Sequence, residues 1–535
     1  MRRISVTWIL ILLLLVMNSA CSRNETKPKE QDLNALKSKS ETRLGTPAKK
    51  VILIVADSLM SRSVEKGAAD NKLPAFQFLM KHGRYYNDVV SSFPTMSVTI
   101  DSTLLTGEYP DGHHVPGLTW YSAQERKVVN YGTGPTEILR QGMNQVLANA
   151  LIHLNSSHLN PNTPTIYEQL AKRGRTTGSI NGLIYRGNAD HTLSIPKWLD
   201  WPSSLPAEIK VKGPDFMAFG ALSNPMTDRL QLPVGPTQKL GFNDDYAVKV
   251  LNELIRSDSL PDFMYVYLPD LDQKLHRNGP DEFEGVVKTD RQLQSILQAF
   301  GSPEEALKKA VIIIVGDSGV SQILPSRDNP VVDLPKLLQN YEVLRTGETV
   351  TEQTDIVLAV NETMSYVYKL HTEDRFEAIA DVLKTEPRLD LIAWKEGEWV
   401  KVVQAGTSKE LKFSAAGPIK DRYRQSWTVE GDHQVLDLRV DTAAHRVDYD
   451  RYPDGLRRLW GALHSHKSDY LVVTVKPGYE MTDLSSPNHK GGGGHGSLER
   501  TESLVPLLIA GTDRQPAYLR LKDLQPYLIR LLSER

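Results

Sequence analysis

Continuous runs of β-branched and other apolar residues recur along the chain, separated by amphipathic stretches. A run of this type suits a strand that is buried on both faces of a parallel sheet. The runs cover residues 51–56, 263–268, 310–315, 470–475 and 504–510. Helical periodicity between them covers residues 165–173, 246–255, 284–300, 376–384, 455–463 and 521–532. This alternation predicts an α/β fold with a mostly parallel central sheet flanked by helices.

Acidic residues follow the first three predicted strands at the point where each strand ends. Asp57 follows the first strand, Asp270 and Asp272 follow the second, and Asp317 follows the third after one glycine. Ligands of such sheets bind outside the carboxyl ends of the strands. A single acid in this setting is usually a helix N-cap or a loop residue. Recurrence at three strand ends instead predicts a cation site at one edge of the sheet.

The first twenty residues have the order of charge and hydrophobicity of a signal peptide. Arg2 and Arg3 precede an apolar run over residues 9–16, and small residues follow it. This order predicts a signal peptide over residues 1–20. The apolar run is shorter than the roughly 20 residues that a membrane-spanning helix needs.

Cys21, the only cysteine of the chain, comes immediately after these small residues. Its setting resembles the lipobox of bacterial lipoproteins, which implies a lipid modification of Cys21, palmitate included, and an anchor at the extracytoplasmic face of the cell membrane. Asn18 departs from the leucine that the motif prefers, and an ordinary secretory signal is the alternative. Residues 21–50 are polar, with few large apolar side chains, which predicts a flexible tether.

The remaining residues, 51–535, are enough for one large domain with inserted segments. The formal net charge of the chain is −2. Because this balance gives no electrostatic attraction to a polyanion, we expect no nucleic-acid polymer as a partner.

Two short segments between the first and second predicted strands carry the most specific pattern. Residues 93–97 read FPTMS, and residues 106–110 read TGEYP. Together with Asp57, they resemble the nucleotide pyrophosphatase/phosphodiesterase branch (type I phosphodiesterases) of the alkaline phosphatase superfamily. The resemblance implies that Thr95 is a catalytic nucleophile that also touches a metal ion. Coordination to a metal is one of the few ways to activate a threonine hydroxyl at neutral pH. The alternative interpretation of Thr95 is a plain helix N-cap.

A second motif follows the strand at 263–268. Asp272 and His276 have the D-x-x-x-H spacing of the same family, and four residues place both side chains on one side of a helical turn. Asp270 is an alternative ligand that lacks this spacing. Late in the chain, a glycine run opens onto His495, which matches the family's H-G element. The resemblance implies a three-ligand site of Asp272, His276 and His495 with open positions, as expected of catalytic zinc.

The other metal site departs from the family pattern. Asp317-Ser318-Gly319 stands where the family carries D-H-G. The resemblance implies that Asp57, Thr95 and Asp317 hold the second ion, while Ser318 replaces a histidine ligand. A neutral hydroxyl is a weaker ligand than imidazole.

Three outcomes of this replacement are open: a loosely held ion, a harder ion such as Mn or Mg in place of Zn, or a histidine recruited from elsewhere. His113 and His114 are the candidates for recruitment.

The resemblance covers residues 50–110, 260–320 and 485–515, and it leaves residues 111–259 and 321–484 largely as insertions. It implies a metal-dependent hydrolase of phosphate monoesters or diesters that uses two divalent ions, with zinc expected. The substrate would be a small molecule or an envelope phosphate ester. Two alternatives remain: a transferase of phosphoglycerol or phosphoethanolamine groups to an envelope polymer, and a binding protein that retains a single ion.

Overall fold

The computed structural model describes residues 33–41, 49–133, 135–196, 205–226 and 229–533. The predicted signal peptide, residues 1–20, and Cys21 lie outside the described residues. Part of the predicted tether forms a helix, Leu33–Glu41, in which Leu33 and Leu36 are buried in a core cluster of the domain. Two leucines three residues apart share one face of a helix, so this part of the tether packs on the domain, in contrast to the prediction of a flexible segment.

Strands and helices alternate along much of the chain. In chain order, the strands are β1 (Lys50–Ala56), β2 (Gly83–Val90), β3 (Thr119–Ser122), β4 (Lys127–Asn130), β5 (Thr177–Ile180), β6 (Ala189–Ser194), β7 (Glu208–Gly213), β8 (Phe216–Ala218), β9 (Phe263–Leu268), β10 (Ala310–Gly316), β11 (Ser321–Gln322), β12 (Val331–Asp333), β13 (Ile356–Asn361), β14 (Met364–Lys369), β15 (Leu389–Glu396), β16 (Trp399–Gln404), β17 (Glu410–Lys420), β18 (Ser426–Gly431), β19 (Leu438–Asp441), β20 (Arg446–Tyr449), β21 (Tyr470–Val475), β22 (Glu480–Thr482), β23 (Gly493–Gly494) and β24 (Leu504–Ala510). The α-helices are α1 (Leu33–Glu41), α2 (Ser61–Ala69), α3 (Pro74–Lys81), α4 (Ser97–Thr106), α5 (Pro110–His113), α6 (Pro135–Gln141), α7 (Met143–Ala148), α8 (Ile166–Lys172), α9 (Asp244–Arg256), α10 (Asp270–Asn278), α11 (Glu284–Ala299), α12 (Pro303–Lys309), α13 (Leu334–Leu337), α14 (Phe376–Lys384), α15 (Gly455–Leu463), α16 (Arg500–Ser503) and α17 (Leu524–Ser533).

The central sheet has the strand order β2-β24-β10-β1-β9-β5-β8. Strands β10, β1, β9, β5 and β8 are parallel, whereas β24 runs antiparallel to β10 and β2. This arrangement confirms the predicted α/β class with a mostly parallel sheet.

Helices cover both faces of the central sheet. In β1, Ile52 and Ile54 belong to one buried cluster, and Leu53 and Val55 belong to another. The first cluster includes apolar residues of α3, α9 and α11, and the second includes those of α4, α8 and α17. Successive side chains of a strand point to opposite faces, so a sheet between two helical layers requires apolar residues at every position.

A second sheet of nine strands has the order β13-β14-β21-β15-β16-β17-β20-β19, with β18 paired to β17. It is built from residues inside the predicted insertion at 321–484. Strand β21 is the predicted run at 470–475, and it lies antiparallel to β14 and β15 in this second sheet. A buried run of apolar residues shows that a strand has two covered faces, but it does not show which sheet the strand joins.

The other predicted insertion, residues 111–259, contributes directly to the central sheet. Strands β5 and β8 lie at its end, beside β9. Both strands are short, which explains why the sequence pattern showed no run there. Residues 111–259 are therefore part of the core fold, and they also contain segments outside the central sheet.

The predicted helices correspond to α8, α9, α11, α14, α15 and α17, with ends displaced by no more than one helical turn. Every helix in the part of the chain that the structure describes is too short or too polar to cross a membrane.

Candidate metal centre

The carboxyl ends of β1 and β10 deliver Asp57 and Asp317 to the same edge of the central sheet. The backbone N–H of Ser58 donates a hydrogen bond of 2.8 Å to Oδ1 of Asp317. The backbone N–H of Ser318 donates to the same oxygen at 2.7 Å. The two loops that follow these parallel strands therefore share one carboxylate, as expected for neighbouring strands that end at one edge.

Asp57 and Asp317 each present a buried carboxylate oxygen that has no hydrogen-bond partner among the described residues: Oδ1 of Asp57 and Oδ2 of Asp317. The hydroxyl of Tyr267 donates to the other oxygen of Asp57. Burial, and then the nearby carboxylates of Asp317 and Asp272, raise the pKa of Asp57 well above its ordinary value. Burial also raises the pKa of Asp317. Unpaired buried carboxylates are costly unless a cation compensates them, so these oxygens fit a metal ion.

Asp272, His276 and His495 form a second group of ligand atoms. Nε2 of His276 lies 3.1 Å from Oδ1 of Asp272, and Nε2 of His495 lies 3.5 Å from the same oxygen. The ligand atoms of the three residues all lie within 4.8 Å of one another. The structure thus brings together the three residues that the D-x-x-x-H and H-G motifs singled out.

The backbone orients both imidazoles of this group. Nδ1 of His276 donates to the carbonyl oxygen of Gly493 at 2.8 Å, and Nδ1 of His495 donates to that of Thr95 at 2.6 Å. When the ring is neutral, a proton on Nδ1 leaves the lone pair on Nε2, which in both rings faces Asp272. This is the tautomer that a metal ligand requires.

The carboxylates and imidazoles of this group shift each other's pKa values. Burial opposes a charge on His495, but the carboxylates of Glu362 and Asp272 raise its pKa to about 9. Burial also opposes a charge on Asp272, but His276 and His495 hold its pKa well below the ordinary value. Without an ion, the group is an ion-paired cluster of carboxylates and imidazolium rings.

Thr95 lies beside His495 and Gly496, in the segment before α4. Its Oγ1 accepts a hydrogen bond of 2.7 Å from the backbone N–H of Gly496, and its own N–H donates to the carbonyl oxygen of Gly496 at 3.3 Å. Met96 occupies the N-cap position of α4, without a side-chain cap. The Thr95 hydroxyl therefore does not cap the helix, which removes the alternative interpretation of this residue.

The glycine run lets the loop before His495 approach α10 closely. A Cβ atom on Gly492 would lie 1.9 Å from the carbonyl oxygen of His276. A side chain at this position is incompatible with the observed packing, so glycine is needed for the approach of the two segments.

Two hydroxyls connect the ligand groups. Oγ of Ser58 donates to Oδ1 of Asp272 at 2.8 Å and lies 3.1 Å from Oγ of Ser318. Ser318, which stands where the D-H-G element has a histidine, is fully buried. The sequence did not predict Ser58 as a site residue. Its position directly after Asp57 was the one sequence feature that could have indicated it.

The two histidines considered as replacement ligands lie elsewhere. Nδ1 of His113 accepts from the backbone N–H of Val115 at 3.1 Å, and its Nε2 lies 3.0 Å from Oγ1 of Thr103. Both ring nitrogens are thus engaged in the local structure. His114 is the C-cap residue of α5, in the left-handed region of backbone conformation. Neither histidine contacts Asp57 or Asp317 among the described residues. The hypothesis that one of them replaces the histidine ligand therefore has no support.

Asp270, the alternative to Asp272, binds two lysines. Its Oδ1 lies 2.7 Å from Nζ of Lys239, and its Oδ2 lies 2.9 Å from Nζ of Lys288. Its backbone N–H donates a hydrogen bond of 3.0 Å to Oδ1 of Asp244, at the start of α9. Asp270 therefore joins α10 to its neighbours, and Asp272 is the residue that faces the histidines.

The sequence did not predict Glu362 or His489, which lie against this centre. Oε1 of Glu362 is 3.7 Å from Nε2 of His276, and Oε2 of Glu362 is 3.9 Å from Nδ1 of His489. Glu362 occupies the turn between β13 and β14 of the second sheet, outside every recognised motif. Only the tertiary structure brings it to the central sheet.

The arrangement of strands and helices defines the class of protein: an α/β fold with a mostly parallel central sheet between two helical layers. The family model described as type I phosphodiesterase / nucleotide pyrophosphatase matches residues 51–498, and the chain belongs to this family. Membership indicates a phosphate-ester hydrolase. A sequence comparison with curated proteins gives no match.

Solved structures with the same fold include murine ectonucleotide pyrophosphatase/phosphodiesterase 5, with a TM-score of 0.52 and 13% identity over 90% of this chain and 95% of that protein. The human counterpart has a TM-score of 0.53 and 14% identity over 90% and 95% of the two chains. Phosphonoacetate hydrolase from Sinorhizobium meliloti 1021, in complex with phosphonoformate, has a TM-score of 0.54 and 14% identity over 91% and 97%. At these identities, the likeness establishes the fold.

Proposed function

We propose that this protein hydrolyses phosphate esters at a centre of two divalent metal ions, with Thr95 as the nucleophile. The observation that carries the proposal is the position of the Thr95 hydroxyl. The backbone N–H of Gly496 holds it beside His495, and His495 in turn belongs to the group of ligand atoms around Asp272. Family membership supplies the reaction class.

The two ligand groups differ in chemistry. Asp272, His276 and His495 offer one oxygen and two nitrogens, a donor set suited to catalytic zinc. Asp57, Asp317 and Thr95 offer oxygens only, which suits zinc less well and Mn or Mg better. With Ser318 in place of a histidine, we propose that this second ion is the more weakly held of the two.

The reaction needs a charged oxygen nucleophile and compensation of phosphate charge. Bound divalent ions would supply both by lowering the pKa of a coordinated hydroxyl and by neutralising phosphate oxygens. Thr95 gives its hydroxyl proton to solvent water, its Oγ1 forms a bond to phosphorus, and the bond from phosphorus to the leaving-group oxygen breaks as that oxygen takes a proton from water. Water then attacks the phosphothreonine, which releases phosphate or a phosphomonoester and restores Thr95. Helix α4 begins at Ser97, so its N-terminal dipole favours negative charge beside Thr95.

A related structure agrees with the role of threonine. The murine protein has also been solved as an inactive variant, in which one threonine is replaced by alanine, in complex with AMP. We infer that a nucleotide-like phosphate ester is a reasonable first substrate for this chain as well.

The test uses 4-nitrophenyl phosphate and bis(4-nitrophenyl) phosphate with protein reconstituted with Zn, Mn or Mg. We expect Thr95→Ala to lower kcat/KM by roughly 10⁴-fold or more, with an unchanged melting temperature, as for removal of other nucleophiles. Thr95→Ser, which keeps a hydroxyl, should retain part of the activity. Near-normal hydrolysis by Thr95→Ala would contradict the proposal. Product formed only when an alcohol acceptor is present would indicate a transferase instead.

We further propose that the protein is anchored by a lipid on Cys21 at the extracytoplasmic face of the membrane, because this cysteine directly follows the apolar run and small residues of the predicted signal peptide. Labelled palmitate supplied to cells should enter the wild-type protein and not the Cys21→Ala variant. Equal labelling of both proteins, or no labelling of the wild type, would contradict the anchor.

A further inference from the structure

A third cluster of metal-binding side chains adjoins the proposed catalytic centre. His276, Glu362 and His489 offer ligand atoms that lie within 4.8 Å of one another. None of the family motifs includes Glu362 or His489, and the proposed hydrolysis does not use them.

The second sheet delivers Glu362 to this position. The residue lies in the tight turn between β13 and β14 and has a φ of 57°, in the left-handed region that a residue with a side chain adopts rarely. Its Oε2 accepts a hydrogen bond of 3.1 Å from the backbone N–H of His495, and its Oε1 lies 3.7 Å from Nε2 of His276. The carboxylate is thus held against the histidines rather than extended into solvent.

Another carboxylate fixes His489 in place. Glu480 is completely buried in β22 and accepts a hydrogen bond of 2.7 Å from the backbone N–H of His489. Its other oxygen lies 3.3 Å from Nδ1 of His489. The His489 ring stacks on that of His276, with 4.2 Å between centroids. A carboxylate behind an imidazole is the usual support of a metal-binding histidine.

His276 belongs to both groups through a single atom. Its Nδ1 is used by the carbonyl oxygen of Gly493, so only Nε2 is available to an ion. Nε2 lies 3.1 Å from Asp272 on one side and 3.7 Å from Glu362 on the other. An ion that binds His276 therefore has two alternative sets of partners.

We propose that His276, Glu362 and His489 form a second zinc position that shares His276 with the catalytic group, so that an ion bound to His276 occupies one position or the other. Two histidines and a glutamate form a donor set typical of zinc. The proposal rests on the proposed function in that it takes Asp272, His276 and His495 as the catalytic ligands. It assigns the second sheet a direct part in holding the metal.

The test measures zinc per protein chain after equilibration with Zn²⁺ and removal of the excess, in a background that lacks the catalytic group. In the variant Asp272→Asn with His495→Ala, His276 keeps only the proposed partners. We expect this variant to hold one more zinc ion per chain than the same variant with Glu362→Gln and His489→Gln added. Equal zinc content of the two proteins would overturn the proposal. An ion bound at Asp57 and Asp317 is common to both proteins and cancels in the comparison.

The control adds Glu373→Gln and His371→Gln to the variant Asp272→Asn with His495→Ala. Both residues are exposed and lie just after β14 of the second sheet. These changes should leave zinc content unchanged. Melting curves establish that each variant is folded, and Asp272→Asn alone replaces the background if the double variant does not fold. Zinc content is independent of turnover. If the wild type hydrolyses no phosphate ester and the zinc difference is still found, the proposed function fails while the second zinc position stands.

Discussion

Nδ1 of His495 donates a hydrogen bond of 2.6 Å to the backbone carbonyl oxygen of Thr95, although 400 positions separate the two residues in the chain. The contact sets the tautomer of the imidazole and, at the same time, restrains the backbone that carries the Thr95 hydroxyl. A proposed metal ligand and the proposed nucleophile are thereby held as a unit. Changes at either residue should affect both metal binding and the position of the nucleophile.

Asp272 and Asp270, two residues apart on α10, should differ in which property the same substitution lowers. Asp272→Asn removes the charge that faces His276 and His495, so we expect at least roughly a 10-fold to 100-fold loss of zinc affinity and a larger loss of hydrolysis. Asp270→Asn weakens contacts to Lys239 and Lys288, and it should lower stability by about 1 kcal/mol with near-normal activity. Zinc titration, phosphatase assays and denaturant melts measure these effects. A greater loss of zinc binding in Asp270→Asn than in Asp272→Asn would show that Asp270, and not Asp272, is the metal ligand.

Removal of the Asp57 charge should stabilise the metal-free protein. The folded state raises the pKa of Asp57 above its ordinary value of 3.8, so its contribution to stability is present below that pH and is lost as pH rises through the folded-state pKa. At pH 7 without metal, Asp57→Asn should therefore melt above the wild type, by roughly 1–3 °C.

Two comparisons check this interpretation by calorimetry. The advantage of Asp57→Asn should shrink as pH falls toward 4, because the wild-type carboxyl then binds its proton. Added Zn or Mn should raise the melting temperature of the wild type more than that of the variant, since bound ligand at about 100 times its Kd stabilises by about 2.7 kcal/mol. A metal-free variant that melts below the wild type across this pH range would contradict a cation site at Asp57.

Zinc binding should release protons at neutral pH. Glu362 and Asp272 raise the pKa of His495 to about 9 against the effect of its burial, so the metal-free ring is protonated at pH 7. Its charge stabilises the metal-free fold below pH 6.5, and this contribution is lost as pH rises through about 9. Because an ion binds only the neutral ring, apparent zinc affinity should rise about tenfold per pH unit between pH 6 and 8 for each proton released.

Titration calorimetry in two buffers with different protonation enthalpies counts the protons released. The variant His495→Asn should release fewer protons than the wild type under the same conditions. Zinc affinity that is equal at pH 6 and pH 8 would contradict the assigned ligand.

The sequence predicted the fold class correctly, and it singled out several side chains that the structure brings together, because local patterns carried both. Strands β1, β9 and β10 are buried on both faces and therefore read as continuous apolar runs, and the acids after them lie at one edge because parallel strands end together. The spacing of Asp272 and His276 on α10 reflects the geometry of one helical turn. These features depend on neighbouring residues in the chain and are visible without a structure.

Other features depended on pairing and packing between distant segments. No pattern within residues 504–510 distinguishes an antiparallel strand such as β24 from a parallel one, since both are buried on two faces. His113 and Thr103 are hydrogen-bonded to each other, which composition alone does not reveal. Glu362 reaches the metal centre from a turn of the second sheet.

The sequence by itself therefore determined the α/β class, the acids at the strand ends and the position of Asp272 and His276 on one side of α10, because each follows from the period of a strand or a helix. Tertiary structure alone decided that Thr95 and His495 meet, that His113 stays away, and that Glu362 and His489 join the centre. The physical reason is that these contacts join segments that hydrogen bonding and packing bring together, and no short-range periodicity in the chain encodes which segments meet.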